Sequence, residues 1–267
     1  MIMEDIMHEV EPKIFLIGET KLIPDGLNAY LEHVGVPEWT TDANSDPEAL
    51  SEFMGRLCYR SFEPGMNPNV TRVRPTNKSH LQNLIRTGHG SVLEHSVLNF
   101  VFADVSRVFT HELVRHRAGT AVSQESLRFV RLDDLGMWAP TSIKEDAEIM
   151  EVFVKTFTEL ENLQKMMADH YGLDDEGQVF SKKKEITSAM RRIAPIGVAT
   201  TVGWSANIRT LRHVLEARTD PSAEEEIRLV FGKVGEILVE QYPNIFGDYE
   251  VEMVAGIPWY KSEYSKV

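Results

Sequence analysis

The stretch "EDAEIMEVFVKTFTELENLQKMMADHYG", residues 145–172, leaves the chain little choice of fold. Apolar side chains recur three and four apart, at Met150, Phe153, Phe157 and Leu160, with acids and lysines between them. That period fits the 3.6-residue turn of an α-helix and no strand, so it calls for a long helix burying one stripe. A second such stretch, "AEEEIRLVFGKVGEILVEQYP" (223–243), opens on three glutamates, which suit the positive end of a helix. Asp220 and Pro221 are expected to cap it.

The rest of the chain supplies shorter pieces. "KIFLIGET" (13–20) reads as a strand ended by Gly18. Residues 22–47 are rich in turn formers. Asp46 and Pro47 are expected to cap and open a helix through "EALSEFMGRLCYRS". A Pro/Gly/Asn loop at 63–78 precedes a short helix, "SHLQNLIRTG", ended by Gly88. A strand is expected within "SVLNFVFADVSRVF", then helix in "SRVFTHELVRHR" up to about Arg117. Further helices are expected from the "LDDEGQ" loop to Arg192 and over "WSANIRTLRHVLEAR". The fold class that follows is α+β, helix-rich, with a mixed or antiparallel sheet, and the chain reads as a single domain over residues 1–267.

Composition narrows the function. The single cysteine, Cys58, excludes an internal disulfide framework and a four-cysteine zinc site, and suits a reducing cytoplasm. No apolar run approaches the roughly 20 residues that span a bilayer, so no membrane association is expected. The N-terminal "MIMEDIMHEVEPK" lacks the basic start of a secretory signal. The net charge of −13 argues against nonspecific nucleic-acid binding. Yet residues 107–132 carry five arginines against Glu112 and Glu125, and residues 188–218 carry five against Glu216 alone. Neither stretch contains a lysine. Arginines gathered without lysines suggest forked hydrogen bonding to phosphate, carboxylate or a heterocycle carbonyl.

No metal is expected. "HELVRH" is not H-E-x-x-H: His111 and His116 are five positions apart, which puts them about 140° from each other on a helix. Neither a dinucleotide-binding glycine fingerprint nor a P-loop is present. What remains is "ELVRHRAGTAVSQESLRF", residues 112–129. The small residues of "AGTAV" would let a ligand approach backbone amides. If the segment after them is extended, Ser126 and Arg128 share one side, a hydroxyl beside a guanidinium. A serine nucleophile would need a base, for which His116 is the candidate.

The chain resembles the flavin-dependent thymidylate synthases, the ThyX family. "RHR" followed by "SLRF" is similar to the family signature of RHR, seven residues and serine. "TGHGSVLEH" (87–95), "MRRIAP" (190–195) and "NIRTLRHVLEAR" with "AEEEIR" (207–228) resemble three further family segments, in the family's order, over about Arg60 to Pro243. The resemblance implies methylation of dUMP to dTMP, with methylenetetrahydrofolate as carbon donor, NADPH as reductant and FAD as cofactor.

It also implies site residues. Arg115, His116 and Arg117 would contact the flavin, with Arg115 also near the nucleotide. Ser126 and Arg128 would hold the dUMP phosphate, helped by Arg191 and by backbone around Glu125 and Leu127, with Glu112 near the substrate. Arg218 would bond the pyrimidine carbonyls and, with Ser126, is the catalytic candidate. Asn207, Arg209, His213, His89, Ser91, Glu94 and Ser61 would line the FAD site. Family members are homotetramers with shared active sites. Four departures stand out: eight residues rather than seven separate Arg117 from Ser126, Phe129 replaces a common tyrosine, Glu112 a frequent glutamine, and His213 a frequent asparagine. Residues 1–45 and about 172–180 look divergent. These departures keep a related pyrimidine nucleotide such as UMP open as substrate.

Overall fold

The computed structural model describes residues 8–64, 66–132, 135–265 and Val267. Strand β1 (Lys13–Glu19) leads into α1 (Pro24–Val34), α2 (Asp46–Tyr59) and α3 (Asn77–Arg86). Then come β2 (Val97–Ser106), α4 (Arg107–Leu113), β3 (Thr120–Gln124), α5 (Thr141–Lys144), α6 (Ala147–His170) and α7 (Phe180–Met190). The chain closes with β4 (Ala199–Asn207), α8 (Ile208–Thr219), α9 (Glu225–Gln241), α10 (Pro243–Phe246), β5 (Glu250–Val254) and β6 (Ile257–Lys261). Four strands form a sheet in the order β1-β2-β4-β3, and β5 pairs antiparallel with β6.

Contacts divide the chain into two compact units whose boundaries fall inside β1, β2, β3 and β4 and, between Arg115 and His116, in the loop after α4. The first holds residues 8–15, Val101–Arg115 and Val122–Trp204; the second holds Leu16–Phe100, His116–Ala121 and Ser205–Val267. In the first unit, α6 lays Phe157 with Met150, Phe153 and Val154 against Leu132, Met137 and Val198. Its far end packs Ala168 with Leu173 and Met190, so the stripe read from the sequence is the one that is buried. Asp146 caps this helix, its carboxylate accepting from the Ile149 amide. Phe102 meets Phe109 edge-on, with centroids 5.5 Å apart, and lies 6.0 Å from Trp204.

In the second unit, α1 and α2 enclose an aromatic cluster of Tyr30, Trp39, Phe53 and Phe62 around Leu31 and Val36. Helices α8 and α9 bury Leu211, Val214, Leu215, Val230, Phe231 and Val234. The hairpin of β5 and β6 closes over α9 at two glycines: a Cβ on Gly235 would come within 2.4 Å of the Tyr260 ring, and one on Gly232 within 2.8 Å of Pro258. Two buried ion pairs fasten this unit. Arg56 donates to Glu52 at 2.8 and 2.6 Å. Arg212 forks onto Asp248 at 2.7 Å through both terminal nitrogens and lies 4.8 Å over the Tyr249 ring.

Several expectations change. Residues 24–34, read as turns, form a helix: Pro24 opens it and Gly35, at φ 78°, closes it. The helix expected to reach Arg117 stops at Leu113, which leaves Arg115, His116 and Arg117 in the loop before β3. "AGTAV" is not a bare flexible link, because its last residues belong to β3. Trp204–Asn207 ends a strand, and helix begins only at Ile208. Ser45, not Asp46, is the N-cap residue of α2. Glu224, not Asp220, caps α9, accepting from the Glu226 and Ile227 amides at 2.9 and 3.2 Å.

Candidate active site

The predicted site residues fall into two sets, one in each unit, and each set has its own geometry. In the first unit the set gathers around the turn that follows β3. Ser126 begins that turn: its carbonyl accepts from the Phe129 amide at 2.9 Å, and its Oγ accepts from the Arg128 amide at 3.3 Å. The segment is therefore a turn rather than the extended stretch expected from the sequence. It still places the hydroxyl and the Arg128 backbone together. Thr187 Oγ1, on α7, donates to the Arg128 carbonyl at 2.9 Å and ties the turn down. Glu125 is held from both sides by Thr201, whose amide donates to its carboxylate at 2.9 Å and whose carbonyl accepts from its amide at 3.0 Å.

Arg107, which the sequence reading counted but did not place in the site, donates from Nη2 to the Glu125 carbonyl at 3.1 Å. It is the first residue of α4, positioned where Ser106 Oγ caps the helix by accepting from the Phe109 amide at 3.2 Å. Burial, reinforced by the neighbouring Arg191, lowers the proton affinity of the Arg107 guanidinium, while Glu125 opposes this. The Nε atoms of Arg107 and Arg128 are both buried without a hydrogen-bond partner among the described residues. Buried donors left unpaired cost stability, and guanidinium groups in mutual repulsion cost more. Both costs fall if an anion is bound. Arg191 stands exposed at the head of the turn after α7. Leu127 and Glu112 are half-buried and Arg115 is exposed, its amide donating to the Glu112 carbonyl at 3.2 Å.

In the second unit the loop carrying His116 and Arg117 is fastened to the start of α8. Asn207 caps α8 by accepting from the Thr210 amide at 2.8 Å, and its own amide donates to the Gly119 carbonyl at 2.9 Å. Thr210 Oγ1 donates to the Ala118 carbonyl at 2.8 Å. Gly119 has φ +68°, and a Cβ there would meet Asn207 Nδ2 at 2.3 Å, so only glycine suits the position. The Asn207 carbonyl oxygen thus serves the helix cap.

His116 Nε2 accepts from Arg218 Nε at 2.7 Å, and the His213 ring sits edge-on with centroids 6.1 Å apart. Burial first, then the Arg218 and His213 charges, push the His116 imidazole down to about 4. It is therefore neutral near pH 7, with its Nε2 lone pair committed to Arg218. Arg209 Nη1 donates to Glu94 at 2.5 Å, with the bare backbone of Gly90 beneath its guanidinium. His89 bonds the Tyr59 hydroxyl. Ser91 and Arg117 are exposed, and Arg117 has no hydrogen-bond or ion-pair partner among the described residues. Ser61 is buried against Arg56 and lines a cavity of about 330 Å³ with Tyr59, Arg72 and His80. A cavity of about 890 Å³ elsewhere in this unit, lined by Arg74, Asn83 and Lys261, contains none of the predicted residues.

Two of the clustered arginines are paired within the chain. Arg212 is spent on Asp248, and Arg131 forks onto Asp174 at 2.7 and 2.6 Å. What remains defines an α+β protein with arginine- and histidine-lined sites suited to phosphorylated, planar ligands.

Comparison with known proteins gives the family. Residues 41–244 match the family model Thy1, thymidylate synthase complementing protein. The flavin-dependent thymidylate synthase of Corynebacterium glutamicum is 34% identical over 222 residues, covering 82% of this chain and 85% of its own. That of Mycobacterium marinum is 34% identical over 248 residues, covering 90% and 94%. The chain belongs to the flavin-dependent thymidylate synthase family. Two solved structures share the fold. Thymidylate synthase X from Helicobacter pylori, with FAD and dUMP, has a TM-score of 0.58 at 16% identity, over 89% of this chain and 98% of that one. The UMP/dUMP methylase PolB from Streptomyces cacaoi, bound with 5-Br UMP, has a TM-score of 0.62 at 13% identity, over 90% and 94%.

Proposed function

We propose that this chain methylates dUMP to dTMP with methylenetetrahydrofolate and NADPH, as a cytoplasmic enzyme acting as one functional domain in a homotetramer. The reading rests first on Arg107, whose Nη2 donates to the Glu125 carbonyl, and on Arg128, whose amide donates to Ser126 Oγ. Neither guanidinium has an ion-pair partner among the described residues, and the Nε of each is buried without a hydrogen-bond partner. Such a donor set fits a phosphate dianion better than a neutral ligand. In the second unit, neutral His116, exposed Arg117 and the exposed His89, Ser91 and His213 offer donors and flat faces that fit FAD. When bound, FAD supplies the reducing equivalents for the pyrimidine.

The chain's own residues then have distinct tasks. Arg107, Arg128, Arg191 and Ser126, with the amides around Glu125 and Leu127, bind and orient the nucleotide phosphate, and Glu112 and Arg115 border the substrate. Arg218 bonds the pyrimidine carbonyls and stabilises negative charge developing there. His116 accepts from Arg218 Nε at 2.7 Å, which fixes how the guanidinium is held. Asn207 and Thr210 hold the loop that carries His116 and Arg117. Arg209, paired with Glu94, lines the cofactor site, and Ser61 is assigned to its phosphates. Ser126 acts through hydrogen bonding, since its Oγ is engaged by the Arg128 amide.

The test is a visible spectrum of the purified protein, followed by reaction with NADPH, methylenetetrahydrofolate and dUMP. A flavin spectrum that bleaches with NADPH, together with dTMP formation, is expected; a protein that takes up no FAD overturns the reading. UMP is the second reading, prompted by the extra residue between Arg117 and Ser126. Turnover of UMP at a rate matching dUMP would select it. Light scattering tests the tetramer.

A further inference from the structure

We propose that the pocket between the turn at Arg128 and helix α7 is a subsite for a co-substrate carrying an aromatic ring next to anionic groups. The inference rests on the thymidylate synthase reading and names where one end of a co-substrate binds. The pocket encloses about 170 Å³ and is walled by Arg128, Phe129, Arg131, Phe180, Lys183 and Lys184.

Two features of this pocket lack an internal explanation. The first is aromatic. Phe129 and Phe180 are 61% and 65% exposed, yet they stack on each other with centroids 6.1 Å apart and planes 12° apart. A pair of phenyl rings held parallel in water leaves their outer faces unburied, a cost that a flat ligand would remove. The second is electrostatic. Four cationic side chains line the pocket and no acid does. The nearby Asp174 is occupied: both its oxygens accept from Arg131, and its carboxyl is held below its usual range by Arg131, with a smaller effect from Lys183. The ammonium groups of Lys183 and Lys184 have no ion-pair or hydrogen-bond partner among the described residues. In a chain of net charge −13, four cations sharing one carboxylate, Asp174, leave a local positive excess that favours an anion from outside.

The two features together select the ligand. Inorganic phosphate would leave the phenyl faces wet, and an apolar ring would leave the cations unmatched. A ring with anionic groups at its edge satisfies both. The proposed reaction offers two sources of that chemistry: the benzoyl-glutamate end of the reduced folate and the adenosine 2′-phosphate end of NADPH. The bound nucleotide touches this pocket only through the shared residue Arg128. Phe180, Lys183 and Lys184 lie outside the residues assigned to dUMP or FAD.

The experiment compares the full-length FAD-loaded protein with Phe180→Ala and Lys183→Glu, both chosen because exposed or half-exposed side chains can be changed without opening a core. KM is measured for dUMP, for NADPH and NADH, and for methylenetetrahydrofolate with one and with three glutamates. Calorimetric binding of pteroyltriglutamate and of adenosine 2′,5′-bisphosphate runs alongside. Each variant is expected to raise KM for one co-substrate by roughly fivefold, the scale of one ring contact or one exposed charge pair, with KM for dUMP unchanged. If folate is the ligand, the advantage of three glutamates over one shrinks in Lys183→Glu. If NADPH is the ligand, its advantage over NADH shrinks instead. Unchanged constants for both co-substrates, or a shift confined to dUMP, overturns the proposal. A wild-type protein that forms no dTMP defeats the functional reading, and the calorimetry then decides the pocket alone: probe binding weakened in both variants supports it, and equal binding sinks it.

Discussion

At the residue scale the arginines divide by what surrounds them rather than by where they sit in the sequence. Arg212 and Arg131 have carboxylates to hold their terminal nitrogens, whereas Arg107 and Arg128 make no ion pair among the described residues; a buried Nε without a partner is common to Arg107, Arg128 and Arg212. Clustering was visible in the sequence, but the sorting was not, because Asp248 and Asp174 come from 36 and 43 residues away. Arg107 illustrates the same limit: only the fold brings it to the Glu125 carbonyl. Replacing Arg128 by alanine is expected to raise KM for dUMP by about 30-fold, corresponding to a charge-assisted hydrogen bond of about 2 kcal/mol. Steady-state kinetics would register this, and a KM within twofold of wild type would remove Arg128 from the phosphate site.

Two histidines make acid stability a second residue-scale prediction. His80 and His116 are both pushed down to about 4, chiefly by burial, from an ordinary 6.5. Between those values the unfolded chain binds protons that the folded chain refuses, so stability is full above about 6.5 and falls as pH drops toward 4. Glu48 works the other way: burial raises its carboxyl, so the folded chain takes up its proton first and gains stability on acidification. Burial raises the Glu216 carboxyl in the same way, while at Glu19 burial is outweighed by hydrogen bonds from Lys21 and Tyr242, which lower its carboxyl. The two histidines shift furthest, so the midpoint for urea unfolding is expected to fall from pH 7 to pH 4.5. His80→Asn, which removes one of the two, should flatten that decline. A decline unchanged in the variant would mean that other groups carry it.

At the scale of elements, long periodic segments were legible and junctions were not. Helices α6 and α9 could be read from their apolar stripes, since nothing but a helix buries that pattern. The end of α4, the β4-to-α8 switch and the whole of α1 were misread, because proline and glycine mark helix ends as readily as turns. Hairpin β5–β6 was missed although its turn has Ala255 and Gly256 both at positive φ, 53° and 76°. An alanine there disguises a turn usually announced by asparagine or aspartate before glycine.

The α8 junction matters most for function, because one asparagine both caps the helix and anchors the His116 loop. Asn207→Ala is expected to cost about 1 kcal/mol, as cap removal does, and to weaken FAD retention as well. Denaturant titration and the flavin-to-protein absorbance ratio would separate these effects; loss of stability with full retention would confine Asn207 to the cap. Gly235→Ala tests the hairpin's seat. A Cβ within 2.4 Å of the Tyr260 ring must displace it, so a loss of about 1–3 kcal/mol is expected, typical of overpacking. No change in the unfolding midpoint would mean that the ring moves aside freely.

At the scale of the whole molecule, ligand binding and stability become one measurement. Buried arginine nitrogens without partners among the described residues cost stability, so an anion that meets them is expected to add it. A ligand present at 100 times its dissociation constant adds about 2.7 kcal/mol, which for a chain of this length corresponds to an increase of about 5–10 °C in the unfolding temperature. FAD should produce that rise in the wild type and a smaller one in Arg117→Ala, while dUMP should add a further rise that Arg128→Ala abolishes. If the protein is a tetramer, the unfolding temperature also climbs with protein concentration at fixed FAD, because association stabilises the folded state by mass action. Differential scanning fluorimetry at two protein concentrations, with each ligand alone and then both, reads all of these shifts. Equal FAD shifts in wild type and Arg117→Ala would move the flavin contact away from this loop, and a dUMP shift that survives in Arg128→Ala would assign the phosphate to other arginines.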